Sequence, residues 1–278
     1  MLTDELFYGT KLFHNKLAEL LYPLKQYLGI TQGDYIKVDR DGTLINIHTD
    51  HRWMERYLEK EFHKNDPSFV HPNNASNGFA FLPAVDDELY KNSLLKEAIE
   101  EFDFHHGFVY IEKTKDSYTM LGFGTDKNNS NMPNKVLNST NLVKKIIKKI
   151  INQIVLETSK LQENKVDLIK FKGDLFYKQP CLLHSSEEED NKKIKMLQNI
   201  GLIDNSCNNL ELIKLSAQEI NCLKIYMENY NIKYIAKKLN ITLNTATSYI
   251  ENTKKKLNCN TKVELLQKAE LLKELGKI

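Results

Sequence analysis

The feature that most constrains this fold is a series of helix start and stop signals between residues 216 and 257. Ser216-Ala-Gln-Glu219 is a capping box, in which the serine hydroxyl accepts from the Glu219 amide and the glutamate carboxylate reaches back. Asn240 tolerates the left-handed conformation at a helix end, and Thr242 is a good N-cap. We therefore predict three helices joined by tight turns, which is the helix-turn-helix geometry. Their inward-facing residues are Ile220, Leu223 and Met227, then Ile232, Ile235, Ala236 and Leu239, then Ala246, Ile250 and Leu257.

The third predicted helix, at residues 243–257, has a polar outward face that suits contact with duplex DNA. Thr247 and Glu251 lie one turn apart, and we predict that they read base edges, since a glutamate can accept from cytosine N4. Lysines suit phosphates, which position a protein on DNA but carry no sequence information. A merely solvated helix surface is the alternative interpretation. The candidate DNA-binding residues are Lys233, Asn244, Thr245, Thr247, Ser248, Glu251, Asn252, Lys254 and Lys255.

This C-terminal region resembles the helix-turn-helix domain of the LuxR-type transcription regulators. The resemblance implies binding of double-stranded DNA, and it implies that a fourth helix at 261–274 contributes to a homodimer. Asn229 and Asn240 replace glycines that are usual in the family, Tyr234 replaces a usual glutamate, and Tyr249 stands where histidine is common. The matching pattern is Leu215-Ser216-x-x-Glu219, Ile235-Ala236-x-x-Leu239-x-Ile241-Thr242-x-x-Thr245, Asn252 and Lys256-Leu257.

Charge divides the chain into two parts. Residues 211–278 hold 12 lysines and 7 acidic residues and so carry +5, whereas the remainder holds 27 basic and 30 acidic residues. A small basic module beside a mildly acidic one fits a nucleic-acid-binding unit joined to another domain. No apolar run approaches the ~20 residues that span a bilayer, and no signal-peptide pattern opens the chain. The four cysteines form no metal or disulfide pattern. We expect a cytoplasmic protein without a cofactor.

Residues 1–165 alternate between helix and strand patterns. We predict helices over 4–28, 51–63, 88–104 and 141–163, and strands at 35–38, 43–47, 79–82, 107–113 and 117–125. Asp39-Arg-Asp-Gly42 supplies a hairpin turn between the first two strands. This order predicts an α+β fold, with an N-terminal α-β-α sandwich around an antiparallel sheet and a small all-α helix-turn-helix domain. The predicted domains are a sensor domain at 1–165, a linker at 166–210 and a DNA-binding domain at 211–278.

Trp53, Tyr57 and Asp66 form the second informative group. On the predicted helix 51–63, Trp53 and Tyr57 lie one turn apart on the same face, and Asp66 follows just past the helix end. An indole N–H, a phenol and a carboxylate around an apolar pocket would recognise a small amphiphile through a few directed hydrogen bonds. An aromatic core face with Asp66 capping a turn is the alternative, and the spacing alone favours it.

This spacing resembles the autoinducer-binding domain of the LuxR-type quorum-sensing regulators, and Ala98-x8-Gly107 before a strand is similar to a later segment of that domain. The resemblance implies that the two aromatic side chains bond the lactone and acyl carbonyls of an acyl-homoserine lactone, while the carboxylate accepts from its amide N–H. Asp103 occupies a place where the family often has glycine. The single tryptophan means that the family's second pocket tryptophan is absent, and Phe79 or Phe81 is the nearest aromatic substitute. The predicted ligand-binding residues are Trp53, Tyr57, Asp66, Phe79, Phe81 and Gly107.

Two functional hypotheses share the DNA-binding domain. In the first, a small signal molecule, acyl-homoserine-lactone-like or another small amphiphile, stabilises the folded dimer of a transcription regulator. In the second, the first domain is a ligand-free module for dimerisation or protein interaction, which the missing tryptophan and the isoleucine-rich helix 141–163 favour. An enzyme is the third class. We predict no catalytic residues and no metal site, because the histidines match no ligand spacing and no phosphate loop or nucleophile elbow is present.

Overall fold

The computed structural model describes residues 2–158, 166–184, 187–199, 215–274 and 278, which fall into two compact units. The first unit spans Met1–Ser185 and the second spans Ser186–Ile278. Cys207, the end of the helix predicted over 141–163 and part of the predicted linker lie outside the described residues. None of the described helices is long and apolar enough to cross a membrane.

An antiparallel sheet forms the middle layer of the first unit. Its strands are β1 Gln32–Asp39, β2 Thr43–His48, β3 Gly78–Phe81, β4 His105–Lys113, β5 Ser117–Thr125 and β6 Val166–Asp167. Their order across the sheet is β3-β4-β5-β1-β2-β6, and every neighbouring pair is antiparallel. The predicted turn at Asp39–Gly42 joins β1 to β2, and Gly42 has the positive φ of 85° that glycine adopts without strain.

Helices cover both faces of this sheet. They are α1 Leu2–Leu20, α2 Tyr22–Leu28, α3 His51–Glu59, α4 Glu88–Tyr90, α5 Lys96–Phe102, α6 Met132–Asn138, α7 Thr140–Thr158, α8 Ile169–Lys172 and α9 Leu175–Lys178. A π-helical turn, Lys91–Leu95, joins α4 to α5. The single helix predicted over 4–28 is two helices, because Pro23 in the first turn of α2 has no backbone N–H to continue α1.

The two sheet faces belong to two separate apolar cores. On one face, leucines of α1 and α2 and isoleucines of α7 pack against strand residues such as Tyr35, Leu121 and Phe123. On the other face, α3 and α5 pack against alternate residues of the same strands, among them Ile36 and Met120. Successive side chains of a strand point to opposite faces, so each strand supplies both cores. The predicted α-β-α sandwich is confirmed.

Residues 166–184 pack on the first unit, although 166–210 was expected to be a linker. Val166 pairs with Leu44 of β2 as a short edge strand, and Phe176 of α9 and Leu182 are buried in the core that contains α3. The elements in this stretch have two to four residues each, which is too short for a periodic pattern to show in the sequence.

The second unit is entirely helical in the part that the structure describes. Its helices are α10 Glu187–Asn199, α11 Ala217–Asn229, α12 Ile232–Leu239, α13 Leu243–Lys256 and α14 Lys262–Glu274. Leu223, Ile235, Ala246, Ile250 and Leu265 are buried together and hold α11 to α14 as one small core. The predicted all-α C-terminal domain is confirmed, and the observed α11, α12 and α13 match the three predicted helices.

Candidate DNA interface and ligand cavity

The capping box at Ser216 forms as predicted and anchors α11. The Ser216 hydroxyl accepts from the Glu219 amide at 3.2 Å, and the Glu219 carboxylate accepts from the Ser216 amide at 2.6 Å. Glu219 is buried and also pairs with Lys256 at the end of α13, at 2.7 Å. Burial alone would raise the Glu219 pKa, but the hydrogen bonds from Lys256 and Ser216 outweigh it and lower that pKa. The ionised carboxylate therefore ties the start of α11 to the end of α13.

The turn between α12 and α13 fixes the orientation of α13 relative to α12. Asn240 has φ 52°, in the left-handed region, and its amide donates to the carbonyls that end α12. Thr242 then caps α13 by accepting from the Thr245 amide at 3.1 Å. Ala246 and Ile250 face inward against Ile235, so the polar side of α13 faces away from the core.

All but one of the predicted DNA-binding residues belong to α13, and the exception, Lys233, lies on α12. Asn244, Ser248 and Asn252 are exposed and follow one another at helical spacing. Glu251 is exposed, and it forms an ion pair of 3.0 Å with Lys254. Thr247 is half-buried, and its hydroxyl donates to the Leu243 carbonyl at 2.9 Å. Of the other predicted contacts, Thr245 is half-buried, and Lys233 and Lys255 are exposed.

A cavity of about 680 Å³, including its opening to solvent, lies in the first unit between the sheet and the layer that contains α3 and α5. Trp53, Tyr57 and Asp66 all line it, so the structure brings together the three residues that the sequence grouped. Tyr57 donates to the Asp66 carboxylate at 2.7 Å, and the Ser68 amide donates to the other carboxylate oxygen at 2.7 Å. The Trp53 indole N–H has no hydrogen-bond partner among the described residues.

Burial and charge shape the chemistry of these groups. Burial, reinforced by the negative charge of Asp66, raises the pKa of the Tyr57 hydroxyl well above its usual value, so this group stays a hydrogen-bond donor. Lys172 donates to the Asp66 main-chain carbonyl at 2.6 Å and to Gln179 Oε1 at 2.7 Å. This buried lysine thereby fixes the loop that carries the carboxylate.

Phe79 and Phe81, the expected substitutes for the missing tryptophan, lie on the opposite face of the sheet. Their rings lie 4.9 Å from those of Tyr110 and Phe108, in the core that α7 covers. Strand alternation explains the difference, because Ala80 between them belongs to the cavity side and pairs with Val109. The aromatic ring nearest to Trp53 is instead Phe102, at 5.2 Å and edge-on.

Gly107 stands behind the cavity wall. A Cβ at Gly107 would lie 2.6 Å from the Phe104 ring and 2.8 Å from the Leu82 side chain, and both of these residues line the cavity. Glycine here lets the two side chains approach the strand closely. Asp103, at a place where glycine was expected, has φ 52° and ends α5 in the left-handed conformation.

With these two sites described, comparisons with known proteins identify one of them. Residues 214–269 match the family model described as bacterial regulatory proteins of the luxR family (GerE). This segment is a LuxR-type helix-turn-helix domain. The chain is therefore a DNA-binding transcription regulator rather than an enzyme. No curated protein matches the chain as a whole.

Two solved structures are similar over nearly the full length at low identity. A crystal structure of Escherichia coli SdiA shares 15% identity, covers 96% of this chain and 95% of its own, and gives a TM-score of 0.33. SdiA in complex with octanoyl-rac-glycerol shares 15% identity, covers 95% and 94%, and gives a TM-score of 0.32.

The departures from the family pattern are accommodated by the LuxR-type domain. Asn240 takes the left-handed conformation that a glycine would take, and Asn is among the residues that tolerate it best. Asn229, which replaces the other usual glycine, is the last residue of α11, and Tyr230 after it takes the left-handed conformation. Tyr234 is exposed on α12, where the ammonium of Lys238 lies 5.7 Å from the centre of its ring. None of these substitutions disturbs the helices.

Sequence reasoning missed most of the polar cavity wall. Gln32 and Asp34 of β1, Asn46 and His48 of β2, and Tyr90 of α4 all line the cavity. Burial lowers the His48 pKa to about 4, so its ring is neutral near neutral pH. The available signal was strand alternation, which puts 32, 34 and 36 on one face and 46 and 48 beside them. No lysine or arginine is among the described residues that line the cavity.

Proposed function

We propose that this chain is a homodimeric regulator in which a small amphiphile, acyl-homoserine-lactone-like in its amide and carbonyl groups, binds the cavity and controls DNA binding by the LuxR-type domain. The observation that carries the proposal is a cavity with a largely apolar lining in which the Asp66 carboxylate, the Tyr57 phenol and the unpaired indole N–H of Trp53 are grouped. This combination is the usual chemistry of a small-molecule site.

The polar groups divide naturally between donor and acceptor roles. The unpaired N–H of Trp53 would donate to a ligand carbonyl, and Asp66 would accept from an amide N–H. The Tyr57 hydroxyl would turn from Asp66 toward a second carbonyl, since its raised pKa keeps it protonated. The apolar part of the ligand would lie against Leu94, Leu95, Phe102, Phe104, Leu182 and Val109.

Ligand binding would act on the regulator through mass action. A ligand that binds only the folded first unit stabilises it by about 2.7 kcal/mol when its free concentration is about 100 times Kd. A dimer held in this way would place two recognition helices about one DNA turn apart.

The cavity is tested by thermal unfolding of the full chain with N-acyl-homoserine lactones from butanoyl to dodecanoyl. We expect at least one of them to raise the Tm of wild type and to raise it less in Asp66→Asn. Asp116→Asn is the matched control, because Asp116 is exposed in the turn between β4 and β5. If no member raises the Tm of the wild-type protein, the lactone form of the proposal is wrong.

The DNA contacts are proposed separately, on the exposed face of α13. Asn244, Thr245, Ser248 and Asn252 would meet phosphates or base edges, and Thr247 and Glu251 would read bases. Replacing Thr247 or Glu251 should change the preferred operator in a selection from random duplexes. Unchanged operator preference in both variants would contradict the assignment. Lys233, Lys254 and Lys255 would bind phosphates, and their loss should weaken binding evenly across sequences.

A ligand-independent regulator is the second candidate, and the outer side of α7 favours it. Leu142 and Val155 are exposed on this helix, while Val143, Ile147 and Ile154 are buried against the sheet. A helix that carries apolar residues on its outer side as well would suit a partner helix. Mass spectrometry of intact protein under native conditions separates the candidates, since a dimer with no bound small molecule and full DNA affinity supports this one.

A further inference from the structure

Asp34 is a second carboxylate in the cavity, and nothing in the proposed recognition of an amide and two carbonyls uses it. It lies on β1, is half-buried and lines the cavity. Its side chain makes no hydrogen bond or ion pair with any residue that the structure describes. A carboxylate that faces a small cavity without a protein partner is incompletely solvated, so its presence here needs a compensating group.

The strand beside Asp34 is shaped around its carboxylate. Gly122 of β5 is directly opposite Asp34 in the ladder, and a Cβ at Gly122 would collide with the Asp34 carboxylate. The absence of that side chain gives the carboxylate its place over the neighbouring strand. The position is therefore a built feature of the cavity wall rather than a loose surface group.

The negative charge of the cavity lining is only partly balanced, because the buried Lys172 interacts with the charge of Asp66 but does not affect that of Asp34. Asp34 and Asp66 line the same space, and lysine and arginine are absent from its described lining. Burial, and then repulsion from Asp66, raises the pKa of Asp34 to about 7. The raised pKa of Asp34 and the surplus of negative charge have one cause: the two carboxylates lie within electrostatic range of each other in a poorly solvated site. A positive charge placed between them would relieve both effects.

Aromatic groups add to the fit for a cation. Trp53, Tyr57, Tyr90 and Phe102 line the same cavity, and the faces of such rings attract ammonium groups. The Tyr90 hydroxyl makes no hydrogen bond to the described residues, so it is available to a polar ligand atom. A neutral donor would satisfy a lone pair of Asp34 but would leave the charge of two carboxylates uncompensated.

We propose that Asp34 is a ligand-recognition residue and that the molecule bound here is an amphiphile carrying a protonated amine, which pairs with Asp34. This inference rests on the proposed function, because it names a further chemical group of the ligand in the same cavity. It distinguishes the ligand from an uncharged acyl-homoserine lactone. The amide and carbonyl contacts of Asp66, Tyr57 and Trp53 remain as proposed above.

The test uses two probes that differ only in the terminal group, a protonated amine in N-octanoyl-1,2-diaminoethane and a hydroxyl in N-octanoylethanolamine, together with their butanoyl and hexanoyl homologues. Binding to the full chain is measured by titration calorimetry for the wild type, Asp34→Asn and Asp116→Asn. We expect the amine to bind the wild type at least about tenfold more tightly than the alcohol at equal chain length. Asp34→Asn should bring that ratio close to one, and Asp116→Asn should keep it.

Three results would overturn the inference, and they are distinguishable. If the alcohol binds the wild type as tightly as the amine, or if Asp34→Asn keeps the preference, Asp34 does not recognise a cation, while the proposed ligand cavity stands. If no probe of either kind and no lactone binds the wild type, the inference and the ligand-gated function both fail. The ratio measured on the wild type needs no variant, and circular dichroism is used to check that Asp34→Asn is folded.

Discussion

Replacing Lys172 with methionine tests how the loop that carries Asp66 is held in place. The Lys172 side chain is only 5% exposed, and its ammonium donates to the Asp66 main-chain carbonyl and to Gln179. Burial, partly opposed by the charge of Asp66, lowers the pKa of Lys172 from 10.5 to about 8. Methionine fills a similar volume and removes the titrating group.

The sign of the effect follows from proton linkage. Between about pH 8 and pH 10.5 the unfolded chain holds a proton on Lys172 that the folded chain releases, so stability rises with pH in this window. From about pH 7 to about pH 9.5 the gain for the wild type is on the order of 2 kcal/mol. The free energy of unfolding of Lys172→Met lacks this contribution.

Urea unfolding followed by tryptophan fluorescence measures this difference in the first unit alone, because Trp53 is the only tryptophan and lies in that unit. The Cys181 thiol, whose pKa burial raises to about 12, acts in the opposite direction over the same range. Subtracting the two pH profiles cancels that effect. Lys170→Met is the matched control, since the Lys170 side chain is 74% exposed. Equal pH dependence in wild type and Lys172→Met would refute the reasoning.

Three further changes have defined outcomes. Asp34→Asn should stabilise the ligand-free first unit near pH 8 by about 1–3 kcal/mol more than near pH 5, because the raised pKa of Asp34 means that stability is lost as its carboxylate ionises; parallel urea profiles at both pH values would contradict this. Lys255→Ala should lower the slope of log Kobs against log salt by about 0.9, because the exposed Lys255 has no ion pair among the described residues; an unchanged slope would remove it from the DNA contacts. Thr242→Ala should destabilise the LuxR-type domain by about 1 kcal/mol, measured by hydrogen exchange of the α13 amides, whereas Thr242→Ser should retain the cap. Equal exchange rates in the two variants would exclude a capping role.

The helix-turn-helix could be predicted from sequence because its signals are local. Ser216 and Glu219 are three residues apart, and Thr242 caps the helix that it precedes, so each signal acts within one turn of chain. The order of helices and strands in 1–158 likewise follows from periodicity within each segment, and it was enough for the fold class. The grouping of Trp53, Tyr57 and Asp66 could be predicted for the same reason, because all three lie on one helix and the short loop that follows it.

The rest of the cavity depends on pairing between distant segments. The Asp34 carboxylate fits in the cavity wall because its cross-strand neighbour is Gly122, which has no side chain. Phe79 and Phe81 point away from the cavity because Ala80, between them, is on the cavity side of β3. A shift of one residue in strand register exchanges the two faces, and no local pattern sets the register of β3 against β4. Phe79 and Phe81 were therefore expected in the cavity, whereas both lie half-buried on the opposite face of the sheet.

The polar groups that line or adjoin the cavity work against the stability of the ligand-free first unit. Asp34 has no partner, Lys172 is buried with a lowered pKa, and the buried Nδ1 of His63 has no hydrogen bond in the described chain. A desolvated polar group without a partner costs about 1–3 kcal/mol when it is neutral, whereas Lys172 keeps two hydrogen bonds. Folded domains are stable by only about 5–15 kcal/mol, so these costs are a large share. A ligand that pairs with Asp34 would remove the cost at that residue, and in the proposed function this gain stabilises the ligand-bound regulator relative to the empty one.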